Sequence, residues 1–321
     1  MIAWLVLLQT TLTIAVAGPA SNPEYWPLRL AESEGYFAQE KLAVSFETPR
    51  AEAGAAEALA KGQVDLAATS IDAALQLGHL HGAPPKLVFG LTATPAVAVL
   101  VPAAQKENIR ALPDLVGKTI GVPAPGTPEE RTLLSLLARG GVKLPQVTVR
   151  SFGERRLAGA VESGEVAAAV LGDPYATRLL EDGRAVALVD LRTRGEPERW
   201  LGQPGVHAAI FARADTRLRP EQLKPLARAL LRAIRRLETA TPEELQSRLP
   251  AAAGFSEDFR ARLLGARAIF LSDGWVSPAM LRASVTLVRG RSTVPAKVSV
   301  PRNMDRLLLT GPLKEVLESS R

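Results

Sequence analysis

The sequence predicts an α/β protein of two lobes, each a mostly parallel sheet flanked by helices, with two crossover segments. Three observations predict this fold class. The chain has 321 residues, more than one lobe of ordinary size contains. Strand and helix patterns alternate along it, which is typical of parallel sheets. The same plan of strand, turn with a capping residue, and helix ended by glycine occurs in two successive units.

The first unit opens with the apolar, β-branched strand TLTIAVAG, ended by Gly-Pro. The stretch PEYWPLRLAESEGYF then predicts a helix ending at Gly35. Strand and helix patterns alternate through the rest of the unit, in the order LAVSFET, AEAGAAEALAKG, VDLAAT, SIDAALQLGHL and PKLVFGL.

The second unit repeats the plan in the segments DLVGKTIGV, PEERTLLSLLARGG, VTVRSF, ERRLAGAVESGE, VAAAVLG and DPYATRLLEDG. Extended segments, PAVAVLVP (95–102) and GVHAAIFARA (205–214), precede and follow it and suit the crossings between lobes. We therefore expect lobe 1 to contain residues 11–98 and 205–321, and lobe 2 residues 99–204.

The remainder of the chain predicts helices. One stripe of EQLKPLARALLRAIRRLETA is apolar at helical spacing and is expected to be buried: Leu223, Ala227, Leu230, Ile234 and Leu237. Arginines occupy the other face. A nucleic-acid contact is the alternative to a solvated face, but no aromatic residues are interleaved with the charges. We expect a structural helix and no nucleic-acid partner.

The N-terminal residues 1–10 are predicted to be a signal remnant or an apolar N-terminal segment. No charged side chain precedes Glu24, so the basic part of a secretory signal is missing. A membrane anchor is the competing interpretation, because about 18 uncharged residues can span a bilayer.

The residue types present exclude several kinds of chemistry. The chain has no cysteine, which excludes disulfides, thiolate metal sites and a cysteine nucleophile. His79 and His81 are close in sequence but have no carboxylate cluster beside them, and His207 is distant. We expect no metal site, no cofactor and no catalytic residues, and no histidine lies at any of the strand-to-helix junctions of the expected cleft.

Five segments resemble the substrate-binding proteins of ABC importers, in the group for nitrate, sulfonate, taurine and thiamine-pyrimidine precursors. They are LRLAESEGYFAQEKLAVSFE, ALAKGQVDLAATSIDAALQLGHLHGAPPKLV, DLVGKTIGVPAPGT, GAVESGEVAAAVLGDPYATRLLEDG and SDGWVSPAML. The resemblance covers nearly all of the chain after residue 10. It implies a type II periplasmic binding fold, with a ligand in the cleft between two lobes.

The resemblance further implies a periplasmic or extracytoplasmic, monomeric receptor that delivers a small molecule to an ABC permease and its ATPase subunit. An enzyme on the same fold, similar to relatives in menaquinone or thiamine-pyrimidine pathways, is the alternative, with Asp173, Glu130 and Tyr175 as candidates. An effector-sensing domain of a regulator ranks below both, because the chain leaves no room for a DNA-binding segment before the first strand.

Four strand-to-helix junctions predict where the ligand binds: PASNPEYW, AATSIDA, PAPGTPEE and LGDPYA. The candidate ligand-binding residues there are Ser21, Asn22, Tyr25, Trp26, Thr69, Ser70, Gly126, Thr127, Asp173 and Tyr175.

The charge of these junctions bears on the ligand. Each begins its helix with a capping residue and a carboxylate, and none contains Lys or Arg. Thr127 and Glu130 are spaced as a capping box, with the Glu130 side chain reaching back to the Thr127 N–H. An anion would have to compete for donors already used. We therefore expect a neutral or nitrogen-containing organic ligand, with a sulfonate- or nitrate-like anion as the runner-up.

Overall fold

The computed structural model describes residues 11–80, 83–202, 205–249, 259–289 and 302–320. The predicted N-terminal segment 1–10 and His81 therefore lie outside the described residues. Two five-stranded sheets organise the chain. Sheet A has the order β2-β1-β3-β10-β4, from β1 (Leu12–Val16), β2 (Val44–Glu47), β3 (Leu66–Ser70), β4 (Lys86–Gly90) and β10 (Ala208–Ala212). Sheet B has the order β7-β6-β8-β5-β9, from β5 (Val97–Pro102), β6 (Thr119–Val122), β7 (Thr148–Ser151), β8 (Ala168–Gly172) and β9 (Ala185–Asp190).

Each sheet is mostly parallel and contains one antiparallel strand. β1 pairs in parallel with β2 and β3, and β10 runs antiparallel between β3 and β4. In sheet B, β6 pairs in parallel with β7 and β8, and β5 runs antiparallel between β8 and β9. The predicted fold class is confirmed.

The two predicted crossing segments form strands in addition to connecting the lobes. PAVAVLVP contains β5 and GVHAAIFARA contains β10, so both supply the antiparallel strand of a sheet. We call a sheet with the elements packed on it a lobe. The expected limit between residues 98 and 99 falls inside β5, and we propose to move it to the segment 91–96 that precedes this strand.

Helices cover both sheets. Their bounds are α1 (Trp26–Ser33), α2 (Tyr36–Gln39), α3 (Glu52–Ala60), α4 (Ile71–Leu80), α5 (Pro128–Arg139), α6 (Glu154–Glu162), α7 (Tyr175–Glu181), α8 (Glu196–Leu201), α9 (Pro220–Thr239), α10 (Pro242–Gln246), α11 (Phe259–Ile269), α12 (Pro278–Arg289) and α13 (Gly311–Ser319). The single helix predicted before Gly35 is instead a 3₁₀ turn, Pro23–Tyr25, followed by α1. Within the described ranges, no helix is long and apolar enough to cross a membrane.

The core of lobe 1 includes the predicted stripe of α9, which is buried at every position. This helix packs against α1, α2 and α13. Its arginine face is only partly solvated: Arg228 lies 2.6 Å from a carboxylate oxygen of Glu40, and the Arg232 guanidinium lies 4.3 Å from the Tyr36 ring centroid. Residues of α11, α12 and α13 belong to the same core, so the C-terminal helices complete lobe 1.

Lobe 2 has two smaller apolar clusters, one on each face of sheet B. α5 and α8 cover one face around Leu133 and Leu136, and α6 and α7 cover the other around Leu157 and Leu179. This arrangement leaves the carboxyl ends of the parallel strands of both sheets free to form a site.

Leu230→Ala should lower the free energy of unfolding by about 2–5 kcal/mol, because it opens a cavity in the fully buried stripe of α9. Urea unfolding followed by circular dichroism measures the change. Arg235→Ala, on the exposed face of the same helix, is the matched control and should stay within about 0.5 kcal/mol of wild type. Equal losses in the two variants would contradict the assignment of the buried face.

Candidate functional site

A cavity of about 640 Å³ lies between the lobes, where the parallel strands end. Lobe 1 lines it with the loop after β1, the first turn of α3 and one side of α4. Lobe 2 lines it with residues 95–97, the start of α5, Glu154 and the loop after β8. All four predicted junctions therefore lie at or beside one cleft.

Six of the ten candidate residues line this cavity: Ser21, Asn22, Gly126, Thr127, Asp173 and Tyr175. The other four side chains do not face it. Tyr25 and Trp26 are 1% and 0% exposed, and Thr69 and Ser70 are both 0% exposed.

The physical reason is packing behind the cavity wall. The Trp26 indole donates to the Ala20 carbonyl and lies 5.4 Å from the ring of Phe259. Thr69 and Ser70 end the fully buried strand β3, and the hydroxyls of both donate to Glu52. Tyr25 and Trp26 therefore pack behind the cavity wall instead of lining it.

The helix starts satisfy their own N–H groups, as the sequence predicts. Asn22 Oδ1 accepts from the Glu24 N–H at 3.1 Å, and Thr127 Oγ1 accepts from the Glu130 N–H at 3.5 Å. The second bond of the predicted capping box differs. Glu130 accepts from the N–H of Gly126 at 2.6 Å, one residue before Thr127. Gly126 has φ +73°, a left-handed conformation that favours glycine and turns this N–H toward the helix.

Asp173 is held by an ion-pair network inside lobe 2. Its side chain is 1% exposed, and Oδ1 accepts from Arg192 at 2.7 Å and from both the N–H and the hydroxyl of Thr177. Arg192 also pairs with Asp190 at 2.9 Å, and these two carboxylates outweigh burial to raise the pKa of the guanidinium. Asp173 thus presents its backbone to the cavity and is a poor candidate for the catalytic role that the enzyme alternative gives it.

The sequence analysis missed a cluster of charged residues at the lobe 1 wall. Nε2 of His207 lies 3.5 Å from Glu24 Oε1 and 3.9 Å from Glu52 Oε1. The four predicted junctions contain no histidine, but His207 lies close to them because β10 is antiparallel and pairs Ala208 with Ser70. The residue before β10 therefore arrives at the carboxyl end of β3. Its backbone is fixed there by bonds to Thr92 and Ile71.

Two further glutamates come from strand-to-helix junctions outside the four that were considered. Glu52 is the first residue of α3, after β2, and Glu154 is the first residue of α6, after β7. Both strands are parallel members of their sheets, so the same rule that selected the other four junctions applies to them.

Burial and mutual repulsion shift the titration of these groups. Burial raises the pKa of the Glu52 carboxyl, and the charge of Glu24 adds to this against the opposite influence of His207. Burial also raises the pKa of Glu129, with contributions from Glu24 and Glu154. Burial by itself lowers the pKa of His207, but the facing carboxylates of Glu24, Glu52 and Asp72 outweigh it and raise that pKa to about 9.

One buried ion pair joins the lobes beside the cavity. Nη2 of Arg131, on α5, lies 3.1 Å from Oδ2 of Asp72, on α4, and both side chains are less than 10% exposed. Nη1 of the same guanidinium donates to the Gly126 carbonyl at 2.6 Å. Arg131 therefore points toward the cavity from the start of α5. Arg29 instead donates to Thr48 and packs on Phe46.

The family model described as NMT1/THI5 like matches residues 22–244, which is more than half of the chain. The chain belongs to the NMT1/THI5-like family. This membership supports the predicted resemblance to substrate-binding proteins of ABC importers. No curated protein sequence matches the chain.

Solved structures share the fold over nearly the whole chain. A protein of Bordetella bronchiseptica RB50 has 22% identity and a TM-score of 0.74, with 97% of this chain and 98% of that chain covered. The alkanesulfonate-binding protein SsuA of Xanthomonas axonopodis pv. citri, bound to MOPS, has 21% identity and a TM-score of 0.69, covering 94% and 98%. The periplasmic nitrate-binding protein NrtA of Synechocystis PCC 6803 has 12% identity and a TM-score of 0.65, covering 97% and 89%.

At these identities the structural similarity establishes the fold alone. Several of these structures are named as sulfonate- or nitrate-binding proteins.

Arg192→Met should lower the free energy of unfolding by about 3–5 kcal/mol, because it leaves the buried Asp173 carboxylate without its cation. Chemical unfolding measures the loss. Arg194→Met, at an exposed position two residues away, is the control and should change stability by less than about 0.5 kcal/mol. A loss below about 1 kcal/mol for Arg192→Met would show that the ion pairs of Arg192 do not stabilise the loop after β8.

Proposed function

We propose that this protein is an extracytoplasmic solute-binding protein that captures a small organic molecule between its lobes and delivers it to an ABC permease. The cavity of about 640 Å³, lined by both lobes, carries the proposal. Its volume lies in the range of small-molecule sites, about 300–1,000 Å³. Family membership supports the same role. The proposed partners are the permease and its ATPase subunit, with the receptor itself a monomer.

Lobe closure is the working motion that this architecture provides. Two segments of the chain connect the lobes, and a solute that contacts both would stabilise the closed form. The Arg131–Asp72 pair already bridges the lobes beside the cavity. A solute in contact with the start of α5 would therefore bind next to this closing contact.

The charges at the cavity favour a solute with a positively charged nitrogen. Four glutamates line it among the described residues, Glu24, Glu52, Glu129 and Glu154. Two arginines oppose them: Arg131 is engaged by Asp72, and Arg50 is exposed at the rim. The carboxylates of Glu24 and Glu154 raise the pKa of Glu129, so the ionised groups repel one another. An ammonium group bound beside Glu129 would relieve this repulsion.

Among the described residues, the cleft offers fewer favourable partners to a sulfonate or nitrate than to an ammonium group. The N–H groups of Gly126 and Glu130 at the start of α5 are bonded to side chains of the same helix start. The N–H of Glu24 is bonded to Asn22 in the same way. An anion would have to displace these bonds and approach the glutamates, which costs free energy. The solutes named for the Xanthomonas and Synechocystis proteins are therefore the runner-up class for this chain.

Thermal-shift measurements on purified protein, in the presence of a chelator, test the receptor and its ligand class together. Organic amines and quaternary ammonium compounds are compared with alkanesulfonates and nitrate of similar size. A true ligand at a hundredfold excess over its Kd stabilises by about 2.7 kcal/mol, a rise of about 4–8 °C. We expect this for members of the amine set. Stabilisation by sulfonates or nitrate alone would contradict the proposed ligand class but not the proposed receptor function. Absence of stabilisation by any class would count against the receptor function.

Glu129→Gln and Glu130→Gln separate ligand charge from helix capping. Glu129 lines the cavity, and its replacement should weaken binding of an amine roughly ten- to hundredfold, because a charge-assisted hydrogen bond contributes about 1.5–3 kcal/mol. Glu130 is bonded to Gly126, so its replacement should lower stability more than affinity. Calorimetric titration gives the affinities. Unchanged amine affinity in Glu129→Gln would refute the charge argument.

A further inference from the structure

Two of the four glutamates that line the cavity, Glu24 and Glu52, also form a cluster with His207 on its lobe 1 side. Glu24, Glu52 and His207 each offer one ligand atom, and these atoms lie within 4.8 Å of one another. The three residues belong to segments far apart in the chain: the 3₁₀ turn before α1, the first turn of α3 and the residue before β10. We propose that they bind one divalent transition-metal ion of the zinc class on the lobe 1 side of the cavity, where Glu24 and Glu52 line it.

The spacing of the three atoms fits a shared ion. Nε2 of His207 is 3.5 Å from Glu24 Oε1 and 3.9 Å from Glu52 Oε1. Ligand atoms of a tetrahedral zinc site with bonds of about 2.0–2.1 Å lie about 3.3–3.4 Å apart. An imidazolium bonded directly to a carboxylate would approach to about 2.7–2.9 Å. The two observed distances are nearer to those around an ion, and the ligand atoms of Glu24 and Glu52 lie within 4.8 Å of each other.

The imidazole nitrogen supplies a second, independent observation. Nε2 of His207 is buried and has no hydrogen-bond partner among the described residues. An unsatisfied buried polar atom costs about 1–3 kcal/mol, so such an atom in a native site usually has an occupant. A metal ion placed between Nε2 and the two carboxylates would provide one.

Both carboxylates are already oriented by outer partners. Ser70 donates its hydroxyl to Glu52 Oε2 at 2.6 Å, and Tyr25 donates to Glu52 Oε1 at 3.4 Å. The N–H of Ala96 donates to Glu24 Oε1 at 3.3 Å. Metal-binding carboxylates in proteins are typically held in this way. Ser70 and Tyr25, which are buried behind the wall, would thus orient the metal-binding carboxylate of Glu52.

The donor set selects the class of metal. One imidazole and two carboxylates suit Zn²⁺ or Co²⁺, whereas Ca²⁺ requires six or more oxygen ligands and Mg²⁺ retains several waters. Glu24 and Glu52 both line the cavity, so the fourth coordination position would face it. A water, or a nitrogen or oxygen atom of a solute, would complete the site there. Two carboxylates balance the charge of a divalent ion, and Nε2 of His207 must lose its proton to ligate it.

Titration of chelator-stripped, full-length protein with ZnCl₂ by calorimetry, and with CoCl₂ by visible spectroscopy, tests the proposal. We expect one equivalent to bind, with the strong absorption of four-coordinate Co²⁺. Glu52→Gln and His207→Gln should each weaken binding about a hundredfold or more, and Ser70→Ala about tenfold, since loss of an outer partner typically costs 10–100-fold. Circular dichroism establishes that each variant is folded, and Ser70→Ala serves where a ligand variant does not fold.

Two control variants test whether the metal ion binds at this cluster and not elsewhere. Glu154→Gln removes an exposed carboxylate of the same cavity and should leave metal affinity unchanged. The double variant His79→Gln/His81→Gln tests the other two histidines of the chain and should also bind one equivalent. No metal binding by wild type at micromolar concentration would overturn the proposal. Metal binding that persists in both Glu52→Gln and His207→Gln would also overturn it. Loss of metal binding in the His79→Gln/His81→Gln variant would do the same. These outcomes are separate from the amine screen, which is run with a chelator.

Discussion

The structure depends on one backbone constraint: each sheet is completed by an antiparallel strand that the chain reaches after a crossing. β10 is buried along its whole length and bonds to both β3 and β4. Without it, two buried edges of sheet A would expose unpaired N–H and C=O groups, which is costly away from water. β5 fills the same position in sheet B between β8 and β9. Because β10 follows the whole of lobe 2 in sequence, sheet A is completed only when the chain crosses back from lobe 2 to lobe 1.

The same constraint shapes the site. A strand that runs against its neighbours begins where they end, so the residues before β5 and β10 lie at the cleft. Ala96 reaches Glu24 in this way, and His207 reaches Glu24 and Glu52. Residues at the crossings between lobes therefore position the glutamates on the lobe 1 side of the cavity.

Several buried charges among the described residues occur in opposed groups. Asp173 is matched by Arg192, Asp72 by Arg131, and the pair Glu24 and Glu52 by His207. The first group stabilises a loop inside lobe 2, and the second connects the lobes. The third faces the cavity, and its histidine nitrogen remains without a hydrogen bond among the described residues. Isolated buried charges are strongly destabilising, so each group constrains the position of the segments that supply it.

The sequence by itself determined the local structure: the alternation of strands and helices, the buried stripe of α9 and the caps at Asn22 and Thr127. These features depend on interactions over a few residues, which periodicity and residue type express directly. Only the tertiary structure decided that Tyr25 and Trp26 pack behind the wall, and that Glu24, Glu52 and His207 meet in front of it. Strand order brings those three residues together from distant parts of the chain, and no local pattern encodes that order.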